Sequence, residues 1–360
     1  MGEKDVSEGT DQEYLQIDIL KAAMIALVIF DHAFPAGIKA GLGIQLWERL
    51  SVPTFLVITG FNYGHSFHRR GIIHLLDAFK GSYLSEKLKR YLMPFALLMI
   101  PMSILSILLA FFDVNLLSGL GPLPFWGPGI WYIPVILWGV LILPPLYISF
   151  QRRPKLTLVL CFVNDFAMHW LLYWLLQITE GNLTLQEAML FFFQTNVLYY
   201  LSAVALGMWF SGGHGLEEER NRFIWFLLPL SLGYLLYYEI MDSQIFFLSS
   251  DYNLFGFPYA AFIFLVGMAV LPRESDSIWG RISARLGKGT YHILLTQAFC
   301  FSILYRLFPG FREGALVATS YIFWYLVVIV LSFTFGSLWR RVERGILEKD
   351  ATSKHTSKDG

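Results

Sequence analysis

LQIDILKAAMIALVIFDHAF, residues 15–34, is a run of about twenty residues in which only Asp18, Lys21, Asp31 and His32 are ionisable. At about 1.5 Å rise per residue such a run spans about 30 Å, the thickness of a bilayer's hydrocarbon core. It reads as a membrane helix. Ionisable groups cost about 2.5–3.5 kcal/mol each at mid-bilayer, so those on this helix are functional candidates by default. Runs of similar length recur as far as Trp339 and place helices near 15–34, 45–67, 88–112, 129–150, 155–177, 188–210, 222–241, 253–271, 290–308 and 315–338. The expected fold is all-α: a polytopic integral membrane protein of about ten transmembrane helices.

The composition excludes an ordinary soluble domain. Of 360 residues, 56% are hydrophobic, 17% aromatic and 15% charged, against about 45–50% apolar and about 25% charged in soluble proteins. The 27 basic and 27 acidic residues cancel, so no nucleic-acid partner is expected. Cys161 and Cys300 fall inside apolar runs and read as small buried hydrophobes, not as a disulfide framework. The first run lacks a small-residue cleavage site and reads as a retained helix. Three segments follow: a cytoplasmic start at 1–14, the membrane domain at 15–338, and a charged cytoplasmic tail at 339–360.

Basic residues orient these helices, because short cytoplasmic loops carry the Lys and Arg excess. The segments after the second, fourth, sixth and eighth runs hold Arg69, Arg70, Lys80, Lys87, Lys89 and Arg90, then Arg152, Arg153 and Lys155, then Arg220 and Arg222, then Arg273, Arg281, Arg285 and Lys288. The opposite loops carry little beyond Lys39 and Arg312. Both termini are therefore expected to be cytoplasmic, and the Gly- and Pro-rich loop 113–128 to cap the outer face.

Lys21 and His32 are eleven residues apart, which returns to within about 20° of the same helix face about 16 Å along the axis. Asp18, three residues before Lys21, can pair with it. One reading makes Asp18 and Lys21 a structural ion pair snorkelling to the inner interface, with His32 at headgroup level. The other makes the stripe from cytoplasmic cation to outward imidazole a path for transferring a group across the membrane. Asp31 lies about 100° round the helix from His32 and is expected to face a neighbouring helix.

Asp18-Ile19-Leu20-Lys21, ten residues and then His32 resemble the Asp-x-x-Arg/Lys-x10-His signature of the acyltransferase-3 membrane acyltransferases. Four further stretches resemble that family in order: Pro53 to Phe61, with Thr59 where the family has serine; Lys87-Leu88-Lys89-Arg90 leading to Pro94; Gly127 to Pro134; and Gly287 to Gln297, with Gln297 where many members have histidine. The resemblance covers nearly the whole chain. It implies transfer of an acyl group, often acetyl, from cytoplasmic acyl-CoA to a carbohydrate or other hydroxyl or amine acceptor, by a multi-pass protein of the plasma membrane that needs no metal.

On that implication His32 is the catalytic residue, as a base or as a transient acyl carrier, with Asp18 and Lys21 beside it. Acyl-CoA is rich in phosphate, and Lys87, Lys89 and Arg90 supply cations for it at the inner end. Read without the family, the same cations simply mark the inner face. Trp126, Trp131 and Tyr132, where the fourth match begins, are the aromatics placed to stack on an acceptor, with Thr59 a polar neighbour. Outside the resemblance, Asp165 and His169 share a face of the fifth run, where a helix-packing hydrogen bond competes with a metal or proton site. The contrasting function class is a secondary transporter or channel with a path through Lys21, His32, Asp165 and His169.

Overall fold

The computed structural model describes residues 14–39, 43–79, 83–111, 128–241, 245–248, 250–312, 314 and 316–356. Among them the chain is helical and contains no strand. The principal helices are α1 (Leu15–Ala33), α2 (Ile44–Arg69), α3 (Tyr83–Phe111), α4 (Tyr132–Arg152), α5 (Pro154–Ile178), α6 (Leu183–Gln194), α7 (Leu201–Phe210), α8 (Phe223–Met241), α9 (Phe257–Val270), α10 (Ile278–Lys288), α11 (Thr290–Leu307) and α12 (Ala318–Thr356). Each of the ten expected apolar runs contains a helix, with three differences.

The first difference is a break in the sixth run. After α6, Asn196 turns the chain through the one-turn 3-10 helix Val197–Tyr200 into α7, a bend of 64°. Side chains of α5 stitch this break. Asp165 accepts from the backbone N–H groups of Leu201 and Ser202 at 2.9 Å each, which satisfies donors that a helix start leaves orphaned. Asn164 donates to the Leu198 carbonyl at 2.6 Å, and the Tyr199 hydroxyl meets His169 Nδ1 at 2.6 Å. The polar pair read on the fifth run is thus spent on packing. All ten residues of α7 are buried.

The second difference is α10, a short helix inside a segment read as a basic loop. Gly280 and Gly287 are buried on it while Trp279 and Ile282 are exposed. The third is the tail, where α12 stays helical past 338 to Thr356.

By length and composition, four helical segments suit a membrane crossing: Tyr132–Arg152, Pro154–Ile178, Glu219–Met241 and Ala318–Gly345, or five if the bent pair of α6 with Val197–Phe210 counts as one. The outward faces of α5, α8 and α12 agree. Val159, Val163, Trp174, Phe226, Phe323 and Val330 are all more than half exposed, an apolar surface that water does not favour and lipid does. α1 and α2 are set apart from these by the charged residues they carry, Asp18, Lys21 and Asp31 on α1 and Glu48, Arg49 and Arg69 on α2, and α9 is short at 14 residues.

The core forms where α2 runs against α7, with α9 and α1 on the flanks of α2. The contact is close because Gly60 meets the backbone of Val204 and Gly207 meets that of Val57. α11 and α12 form a second packed pair against α1. Between these two bodies α1 keeps one face on a cavity.

Candidate functional site

Lys21, Ile25, Val28, Asp31 and His32 recur at helical spacing along α1 and line one cavity of about 190 Å³. Its other walls include Val52, Phe55 and Ile58 of α2, Tyr132 and Ile136 of α4, and Leu294 of α11, so its middle is apolar. At the Lys21 end it meets a second cavity of about 370 Å³; Lys21, Thr59, Asn62, Arg90, Tyr91 and Lys288 line both. The second cavity is cationic. Arg69, Lys87, Arg340 and Arg344 join Lys21, Arg90 and Lys288 in its wall, and the carboxylate among its described lining residues, Asp18, sits 3.3 Å from Lys21 Nζ. Lys87 Nζ also lies 4.6 Å from the Tyr63 ring centroid, within cation–π range. α10 packs on α1 with Gly287 against the Asp18 backbone, which brings Lys288 to the junction. The cationic cavity offers charge-assisted hydrogen bonds to an anionic group, and the cavity that leads from it to His32 is apolar in its middle.

His32 sits at the far end and is fixed from several sides. Its carbonyl accepts from the Tyr305 hydroxyl at 2.7 Å, and its ring meets Phe301 edge-on at 5.9 Å between centroids. Nδ1 is 3.9 Å from Asp31 Oδ2, a charge contact longer than a hydrogen bond. Nε2 faces Gly129, whose φ of +81° belongs to the left-handed region. A Cβ there would stand 3.7 Å from His32 Nε2, 3.3 Å from Leu294 Cδ1 and 3.1 Å from Gln297 Nε2. Gln297 itself donates to the Pro128 carbonyl at 3.2 Å, so it holds the Gly129 turn. Gly129→Ala is expected to cut turnover about tenfold by pushing on Gln297 and Leu294 and so displacing the turn beside the imidazole, at a stability cost of about 1–2 kcal/mol for the left-handed backbone. Steady-state rates and unfolding midpoints of the purified variant check this, and unchanged turnover would mean that the methyl group is accommodated.

The family model described as an acyltransferase domain matches residues 14–339. The chain belongs to the acyltransferase-3 family. No curated protein and no solved structure matches it. Family membership together with the outward apolar helices makes the chain a membrane acyltransferase by family.

Within this acyltransferase-3 domain, His32, Lys21, Thr59, Trp131 and Tyr132 line the passage, and Asp18, Lys87 and Arg90 line the cationic cavity. Lys89 is exposed and lines neither cavity. Trp126 lies outside the described residues, as does the loop 112–127. Trp131 stacks on Tyr252 with centroids 5.7 Å apart, so its face toward that ring is already covered. Thr59 Oγ1 donates to the Phe55 carbonyl at 2.8 Å, which leaves the Tyr132 hydroxyl as donor in their 3.3 Å contact. Asp165 and His169 line neither cavity. Among the described residues no group of three or more His, Cys, Asp or Glu is placed to hold a metal.

Several lining residues escaped the sequence reading, and some left a signal in it. Asn62 follows Thr59 by three, and Arg344 follows Arg340 by four, so each pair shares a helix face. Lys288 falls inside the quoted Gly287 to Gln297 stretch. Lys39, counted as an exception among outer loops, is instead buried and donates to the Asp31 carboxylate and, at 3.2 Å, to the Asp31 carbonyl. Nothing in spacing alone joins Lys39 to Asp31 across the turn at Phe34-Pro35.

Proposed function

We propose that this chain moves an acyl group, acetyl as the first choice, from cytoplasmic acyl-CoA to a hydroxyl or amine of a carbohydrate-type acceptor. It does so as a multi-pass protein of the plasma membrane, with about ten spans and both termini cytoplasmic. The observation that carries the reading is the meeting of a cationic cavity with an apolar passage that ends at His32. The donor's phosphates rest among Lys21, Lys87, Arg90, Lys288 and the arginines of α12. Its thioester reaches along the passage to the imidazole, and the acceptor approaches from the Trp131 and Tyr132 end.

In the direct route the acceptor oxygen attacks the thioester carbonyl carbon as His32 takes the hydroxyl proton. The C–S bond then breaks and the thiolate leaves with that proton. In the two-step route the imidazole nitrogen attacks first, the thiol departs, and the acyl-imidazole passes its acyl group to the acceptor. A transport path through Lys21, His32, Asp165 and His169 finds less support, because the last two are engaged in holding the break before α7.

Binding of labelled acetyl-CoA to the detergent-solubilised protein tests the donor. Saturable binding is expected, and its absence ends the reading. Lys87→Gln combined with Arg90→Gln is expected to weaken that binding about tenfold at low salt and less at high salt, since screening already reduces the lost attraction. Equal affinity for variant and parent would return both residues to a purely topological role.

A further inference from the structure

Beside His32, and unused by the mechanism above, lies a chain of buried charges. Lys39, on the short helix Ala36–Lys39, donates to the Asp31 carboxylate and stands 3.6 Å from Glu48 Oε2 of α2. Arg49 pairs with Glu48 at 3.8 Å and with Asp251 at 3.0 Å, and its guanidinium stands over the rings of Tyr238 and Tyr252. Asp31, Lys39, Glu48 and Arg49 are largely out of solvent, while Asp251 is 52% exposed. Buried charges persist only when paired, so this chain holds a fixed geometry at a real desolvation cost.

We propose that Lys39 is a positioning residue for His32, acting through Asp31. Held between two carboxylates, the ammonium fixes the Asp31 carboxylate beside His32 Nδ1 and offsets part of its charge. Asp31, Lys39 and Glu48 form a buried trio in which the ammonium stands between the two carboxyl groups. Because Lys39 tempers the trio, the ring still gives its proton back, which a base that must later protonate a leaving thiolate requires. Of the other described residues, Tyr132 and Tyr252 line the same cavity, the Tyr305 hydroxyl donates to the His32 carbonyl, and Gln297 borders Gly129; the further cations of that cavity, Lys21, Arg90 and Lys288, lie at its far end. The inference rests on His32 as the base in the proposed reaction. Its signature is a pair of opposite shifts: removing the cation strengthens proton binding at His32, and removing the Asp31 charge weakens it.

The test uses full-length protein in detergent and measures carbethoxylation of the His32 peptide by diethyl pyrocarbonate as a function of pH, which needs neither donor nor acceptor. The pH midpoint is expected to rise by about one unit in Lys39→Gln and to fall by about one unit in Asp31→Asn. Lys39→Arg is expected to keep the parent midpoint. Shifts of the same sign in Lys39→Gln and Asp31→Asn, or no shift in either, would overturn the proposal. If Lys39→Gln does not fold, Asp31→Asn and Lys39→Arg decide it: a lowered midpoint in the first with a parental one in the second supports it, and any other pair overturns it. Loss of acetyl-CoA binding in the parent would sink the proposed reaction and leave these midpoints readable, so the two failures are distinct.

Discussion

His32→Ala leaves a folded protein whose acyl-transfer rate has fallen at least about 100-fold, the lower end of what a positioned acid–base group contributes. Two features of the site separate function from folding here. The His32 backbone is anchored by its carbonyl to the Tyr305 hydroxyl at 2.7 Å, a bond that alanine keeps. The imidazole borders an existing cavity, so its removal enlarges that space and does not open a new void in the core. Stability is expected to change by less than about 1 kcal/mol, because the ring loses an edge contact with Phe301 and a charge contact with Asp31 and little else. The measurement pairs release of free thiol from acetyl-CoA in the presence of acceptor with the unfolding midpoint in detergent. Near-normal turnover would remove His32 from the chemistry, whereas a lost fold would make the rate uninformative about it. Acylated His32 trapped on rapid quenching would select the two-step route over the direct one.

Much of this site was legible because helix periodicity is a strong signal. Asp18, Lys21 and His32 could be placed on α1 by residue angle alone, and Lys21 and His32 do line one passage. Thr59 and Tyr132 were quoted within separate motifs, and the fold brings their hydroxyls to 3.3 Å. What escaped depends on features with no period. The 64° break before α7 is set by Asn196 and by polar groups of α5 reaching another helix, and hydropathy over a run cannot see either. Lys39 returns to Asp31 because the chain reverses after α1, so its loop position in sequence concealed a buried ion pair. Lys89 and Lys87 are equal as sequence, but two residues on a helix point about 160° apart from each other, and only Lys87 turns to the cavity. The basic residues of 272–289 were counted for topology, and the same count hid an amphipathic helix that delivers Lys288.

Gly60→Ala is expected to destabilise the protein by about 3 kcal/mol or more, a large part of the 5–15 kcal/mol typical of a folded domain. A Cβ at 60 would stand 1.9 Å from the Val204 carbonyl oxygen and 3.0 Å from the Met208 nitrogen. Those atoms are backbone of α7, so no rotamer change relieves the clash and the two helices must separate. α7 is buried at every residue, so separation would expose apolar surface or open voids along its length. Reciprocally, a Cβ at Gly207 would stand 1.8 Å from the Val57 carbonyl oxygen, so α7 has no room to turn. Two controls isolate the cause. Gly64→Ala meets the Ser211 side chain, whose hydroxyl can rotate away while its Cβ, 2.9 Å from the added methyl, must shift slightly, and the variant is expected to cost less than Gly60→Ala. Gly233→Ala on α8 meets nothing within 4 Å and is expected to be neutral or to stabilise by up to about 1 kcal/mol, the usual gain for alanine over glycine in a helix. Unfolding midpoints of the three variants in one detergent give the order, and a Gly60 variant as stable as that of Gly233 would refute the close crossing. Thr59 flanks Gly60 and Asn62 follows one half-turn later, both in the walls of the two cavities. A helix pushed off α7 therefore carries the junction with it, and donor binding is expected to fall together with stability in the Gly60 variant while remaining intact in that of Gly233.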